Sequence, residues 1–136
     1  MCTSIDPSDD VLIEIAIAEG VKYFRGSLKN KLKRWADCCN EFGIDSFHSV
    51  DADDPFFDGE LSCKSIGMLQ HSLDLVKHPP QQPNDGYYEG CVGYSLRLDI
   101  IEKACEIKTT NDTEMMWNFI EKVSGVRIGY LEVIND

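Results

Sequence analysis

The chain has 136 residues, 43% of them hydrophobic and 27% charged; that length suits a single domain over residues 1–136, and the composition argues against disorder. With 24 acidic against 13 basic side chains the net charge is −11, a field that repels phosphate backbones and argues against generic nucleic-acid binding. No apolar run approaches the roughly 18 residues of a membrane helix, and no basic stretch followed by an apolar one opens the sequence, so a soluble, cytoplasmic protein is expected.

Met1 to Ile5 is short, apolar and β-tolerant, the end of a strand. Asp6-Pro7-Ser8-Asp9-Asp10 reads as a helix start: Asp6 as N-cap, Pro7 at the first helical position, and acids at the positive end of the dipole. Val11 to Ala18 is apolar on nearly every side except Glu14, which predicts a largely buried helix. Gly20 stops it.

Val21 to Arg25 has strand propensity, and Gly26-Ser27 is expected to turn and cap a second helix. Leu28, Leu32, Trp35, Cys39 and Phe42 then recur at helical spacing, ending at Gly43. Ile44 to Asp51 reads as a strand closed by Pro55, which lacks a backbone N–H. Asp58-Gly59-Glu60 opens a third helix through about Gln70, and Leu73 to Val76 is a short strand. His78 to Gly86 holds three prolines and reads as an exposed loop. Tyr87 to Leu98 is a weaker strand pair or strand-to-helix passage. Asp99 to Ile107 and Asp112 to Val123 read as helices, and Val126 to Ile134 as a final strand. Strands and helices alternate over the first half, which predicts a parallel sheet covered by helices with right-handed crossovers.

The six cysteines, at 2, 38, 39, 63, 91 and 105, include no C-x-x-C pair. Adjacent Cys38-Cys39 is a poor zinc chelate, so buried, reduced thiols acting as small apolar groups are expected.

Asp51, Asp53 and Asp54 lie at a predicted strand end, where ligands of open α/β sheets sit. Carboxylates are hard oxygen ligands suited to Mg²⁺ shared with substrate phosphates. Asp51 and Asp53 have the i, i+2 spacing that puts two side chains on one face of an extended segment. The other reading is an acidic turn capping the next helix. An EF-hand is excluded, because Pro55 and Phe57 fall at ligand positions.

The ordered set Val11-Leu12-Ile13, Gly20 to Ser27 with its Arg25-Gly26-Ser27, Leu32-Lys33-Arg34-Trp35, and Val50-Asp51-Ala52-Asp53-Asp54-Pro55-Phe56-Phe57-Asp58-Gly59-Glu60-Leu61 resembles the cytidylyltransferases that make CMP-activated acidic sugars and their spore-coat polysaccharide relatives. Thr3-Ser4-Ile5-Asp6 would match the opening of that pattern. The resemblance covers residues 2 to about 76 and is faint over Tyr87 to Lys122, where Gly93-Tyr94 and Thr113 to Trp117 would suit later elements. It implies an α/β, three-layer, mostly parallel sheet like that of nucleotide-diphospho-sugar transferases. It implies attack of a sugar oxygen on the α-phosphate of CTP with Mg²⁺ as cofactor. Asp53 matches the metal-binding aspartate, with Asp51 as a second metal ligand and Asp54 in substrate binding; Ala52 stands where glycine is frequent. Arg25 would contact sugar or phosphate, or else pair with local acids. Arg34, within the same pattern, reads as structural, and Glu114 is a weaker candidate.

The family's first strand and its phosphate-holding loop, of the form A-R-x-G-S-x-R-x-x-x-K, find no counterpart here. The resemblance therefore implies a fold lacking that strand, with an exposed sheet edge and an apolar helix face covered by self-association or by a complementing chain. Two other functions fit the residues: a non-catalytic binding protein of the same fold, and an acidic inhibitor unrelated to it.

Overall fold

The computed structural model describes residues 1–69, 72–79 and 92–131, and within it the chain packs as two units. The first unit comprises Met1–Asp45 and Leu98–Val123, the second Ser46–Arg97 and Ser124–Asp136.

The first unit opens with β1 (Cys2–Ser4), a 3-10 turn at Pro7–Asp9, α1 (Asp10–Ala18) and β2 (Phe24–Gly26). β1 and β2 are parallel, with Thr3 opposite Arg25, so this segment is the strand–helix–strand unit that the alternation predicts. Asp6 caps the 3-10 turn, its side chain accepting from the Ser8 amide at 2.9 Å, rather than α1 itself, whose N-cap Asp9 makes no side-chain capping bond. The expectation of a buried α1 fails: only Ala16 is buried, while Val11, Ile15 and Ile17 are 55%, 53% and 64% exposed. A helix apolar all round needs neighbours on several sides, and the described residues of this unit leave most of its circumference open.

A carboxylate closes the end of β1. Asp9 accepts from Thr3 Oγ1 and Ser4 Oγ, both at 2.6 Å, and from the Ser4 amide at 2.9 Å. The Ser4 bonds lead in pulling its pKa down from 3.8 to about 2. A carboxyl depressed in the fold stabilises it above the unfolded value and loses that contribution as pH falls toward the folded value. Asp9→Asn is therefore expected to remove part of the stability lost between about pH 4 and pH 2, as read by thermal melts across that range. A variant melting with the parent's full acid dependence would count against this.

The second helix begins later than predicted. Asn30, not Ser27, caps α2 (Lys31–Phe42) by accepting from the Lys33 amide at 3.2 Å, while Ser27 accepts from the Asn30 amide. Leu28 falls outside the helix and is exposed, whereas Leu32, Trp35 and Cys39 are buried as the spacing predicts. Gly43 ends α2 at φ 63°, a left-handed position that suits glycine. α4 (Leu98–Ile107) lies against α2 and buries Ile100, Ile101 and Ala104. The helix expected over Asp112 to Val123 shrinks to α5 (Trp117–Ile120). The reason lies in Thr113, wholly buried, whose hydroxyl accepts from the Leu32 amide and donates to Asn30. Serving the start of α2 pins this residue outside a helical turn.

The second unit carries β3 (Ser46–Ser49), α3 (Gly59–Leu69), β4 (Leu75–Lys77), β5 (Tyr94–Arg97) and β6 (Ile128–Tyr130). The sheet order is β3-β5-β4-β6. Both partners of β5 run antiparallel to it, while β4 and β6 are parallel. The sheet is mixed rather than mostly parallel. β3 and β4 do share a direction, as a crossover through α3 requires, but β5 fills the place between them. A strand inserted from further along the chain leaves no trace in local periodicity. Leu75, Val76 and Leu96 are fully buried, and Leu69, Val76, Val92 and Leu131 form a cluster against Leu61, Met68 and Leu73. The loop and strand readings over residues 80–91 and the last residues of the final strand lie outside the described residues. Among the described residues no helix is long and apolar enough to cross a membrane.

Candidate functional site: the acidic turn after β3

β3 stops at Ser49, two residues short of the predicted end, so the three aspartates sit on a turn instead of an extended edge. The Asp54 amide donates to the Asp51 carbonyl at 3.0 Å, closing that turn. Asp51 and Asp53 therefore do not share the face of a strand. Asp51 and Asp54 are half-buried, and Asp53 is exposed. Asp53 makes no hydrogen bond or ion pair with the described residues.

Asp51 is held from the neighbouring strand. The register places Ser49 opposite Tyr94, and the Tyr94 hydroxyl donates to both Asp51 oxygens, at 3.2 and 3.3 Å. Burial first, and the Asp51 charge second, push the Tyr94 phenol far up from its ordinary value. Tyr94 therefore keeps its proton and donates near neutral pH. Beneath it runs a polar relay: His48 Nδ1 to Ser95 Oγ at 2.8 Å, and Ser95 Oγ to Ser65 Oγ at 2.8 Å. Burial pushes the His48 imidazole below its usual range, which keeps it neutral near pH 7. Its Nε2 is buried against the Val92–Gly93 backbone.

Downstream, Asp58 caps α3 with Oδ1 accepting from the Glu60 and Leu61 amides at 2.8 and 3.1 Å. The cap of α3 is thus Asp58. Phe56, 79% exposed, and Phe57 line a shallow depression of about 790 Å³ with Asp58, Gly59, Glu60 and Cys63.

Arg25 belongs to the first unit. Its Nε donates to the Ser4 carbonyl at 2.8 Å and its Nη2 to the Asp6 carbonyl at 2.9 Å. Its Nη1 pairs with Asp10 at 2.8 Å. Arg34 donates to the Ser27 and Leu28 carbonyls, Arg97 to those of Leu69 and Leu73, and Arg127 to Asp74. All four arginines of the chain thus bond its own atoms. Glu114 is exposed, 4.0 Å from the Lys31 ammonium.

Among the described residues no three His, Cys, Asp or Glu side chains converge to hold a metal ion. Mg²⁺ needs only one or two carboxylates when phosphates and water complete its shell, so this donor set fits an ion arriving with a nucleotide. Burial pushes the Cys2 thiol up to about 12 and that of Cys39 to about 11, and raises those of Cys38 and Cys105. Among the described cysteines Cys39 alone meets the expectation of buried thiols; Cys2, Cys38 and Cys105 are half-buried and Cys63 is exposed.

No family model matches the sequence, and no curated protein is similar to it. A comparison of folds finds the structure of a cytidylyltransferase from Leptospira borgpetersenii serovar Hardjo-bovis (strain JB197), at TM-score 0.83 and 19% identity over 98% of this chain. The chain has that fold. It spans 57% of that structure's chain. The cytidylyltransferase fold agrees with the α/β architecture that the motif order implies, while the mixed sheet of the second unit corrects its expected strand directions. Tyr94 entered the sequence reading only as part of a faint later match. Its partnership with Asp51 depends on a cross-strand register that no local pattern announces.

Proposed function

We propose that this chain is a nucleotidyltransferase of the cytidylyltransferase type, taking CTP with Mg²⁺ at the Asp51–Asp54 turn and an acidic sugar as acceptor for surface-polysaccharide synthesis. The observation that supports the reading best is the fold likeness to a cytidylyltransferase over 98% of the chain. In such a reaction a sugar oxygen bonds the α-phosphorus and the bond to the departing pyrophosphate breaks. Bound with the triphosphate, Mg²⁺ would neutralise charge on the phosphate oxygens. Asp53, exposed and uncommitted, is the group assigned first contact with the ion. Asp51, oriented by Tyr94, is its partner, and Asp54 sits on the substrate side. Arg25, in the first unit, would take an anion only by exchanging Asp10 for it, since its other bonds hold the end of β1.

A second reading is a non-catalytic binding protein of the same fold. It is favoured by the commitment of every arginine to the chain itself, because a triphosphate needs cations and backbone N–H groups around it. One pair of measurements separates the two. Saturating Mg²⁺ and CTP at about 100 times Kd should stabilise the fold by about 2.7 kcal/mol, several degrees in Tm, and Asp53→Ala or Asp51→Ala should abolish the shift. Pyrophosphate release with an acidic sugar then marks the enzyme, and a shift without release marks the binding protein. Absence of any shift, or a shift that both alanine variants retain, would remove nucleotide binding at this turn.

A further inference from the structure

We propose that the exposed apolar face of the β1–α1–β2 segment docks a basic, apolar segment of another polypeptide. Of the fifteen large apolar side chains exposed among the described residues, eight lie between Met1 and Leu28. Val11, Ile15 and Ala18 recur at i, i+4 and i+7, so they stack into one exposed stripe on α1. Ile17 emerges on the opposite side of Glu14, and Ile5, Val21 and Tyr23 are exposed on the flanking chain. A concentration of exposed apolar side chains of this kind marks an interaction site.

Charge decides the occupant. Asp6, Asp10, Glu14 and Glu19 rim or interrupt the stripe; Arg25 pairs with Asp10 and also neighbours Asp6, while among the described residues Glu14 and Glu19 have no ion pair. A second copy would bring another net charge of −11 against these acids, and an anionic lipid surface would be repelled in the same way. A segment alternating Lys or Arg with Leu, Ile or Val meets both the stripe and its rim. The cytidylyltransferase of like fold is the longer chain, only 57% of it spanned here, so the matched architecture accommodates more polypeptide than these residues. The proposal does not depend on the nucleotide reading.

The test uses the full chain and two fluorescein-labelled amphipathic peptides with the same leucines, one carrying lysines and the other glutamates. Fluorescence anisotropy should show the lysine peptide binding at least tenfold tighter than the glutamate peptide, with the difference shrinking in 0.5 M NaCl. Ile17→Asp should weaken it at least tenfold, as should the charge reversal Glu14→Lys, which leaves the apolar groups intact. Ile66→Asp, in the second unit, should not. Equal binding of both peptides, or indifference to Ile17→Asp and Glu14→Lys, overturns the proposal. So does sedimentation showing a dimer that Ile17→Asp dissolves, which would give the face to a second copy, or vesicle binding that Ile17→Asp abolishes.

Discussion

Gly93→Ala is expected to lower the unfolding free energy by about 3 kcal/mol and to release Asp51 from its donor. The residue lies at φ 61°, and a Cβ built there falls 2.3 Å from the Ser49 carbonyl oxygen and 2.8 Å from His48 Nε2. A left-handed backbone costs a non-glycine residue roughly 1–2 kcal/mol, and overpacking a filled site costs about 1–3 kcal/mol more. The obstacle is backbone on β3, not a side chain that can swing aside. Relief therefore requires β3 and β5 to part at the pair Ser49 and Tyr94, the register that aims the Tyr94 hydroxyl at Asp51. Urea unfolding measures the stability, and the near-ultraviolet circular dichroism of Tyr94's surroundings reports the displacement. A loss below about 1 kcal/mol would show that the two strands do not press together here.

Asp74→Ala is expected to cost about 3 kcal/mol. This carboxylate is buried and accepts three bonds from one residue: Arg127 Nη2 at 2.7 Å, Nε at 3.0 Å and the backbone amide at 2.9 Å. Its own amide donates to the Arg127 carbonyl, and its carbonyl accepts from the Arg97 amide, so it ties the entrances of β4 and β6 to the end of β5. Breaking a buried pair costs about 3–5 kcal/mol when the remaining charge is stranded. Here the figure sits at the lower end, because the half-exposed Arg127 guanidinium regains water. The Arg127 guanidinium hydrogen bond, more than any other influence, holds the Asp74 carboxyl below its ordinary 3.8. A depressed folded value means the stabilisation is complete above about pH 4 and fades as acid carries the group through its lower folded value. Asp74→Asn should therefore lose stability at pH 7 and show a flatter acid limb than the parent in melts from pH 7 to pH 2.

How far the sequence carried the fold can be judged at particular residues. Local chemistry marked the ends of elements well where the relevant partners were a few positions away: Asp6 over Ser8, Asp58 over Glu60 and Leu61, Gly43 after α2. Composition along α1 misled, because an apolar helix says what it would bury and not what is there to bury it. The helix expected after Asp112 failed because Thr113 answers to Asn30 and Leu32, some eighty positions away. The sheet order was invisible for the same reason, β5 entering between β3 and β4 from later in the chain. At the site, three carboxylates were legible as a group, but their turn, and the tyrosine that orients the first of them, belong to cross-strand register.

The bonds around Ser4 carry one more consequence. Its amide hydrogen goes to Asp9 and its carbonyl to Arg25, so a foreign strand sliding alongside finds that rung of the ladder already taken by side chains. An uncapped edge on so short a parallel pair would invite runaway stacking into fibres. With that rung plugged the edge is a poorer template, and a contact made instead on the side chains of α1 is side chain on side chain and stops after one layer.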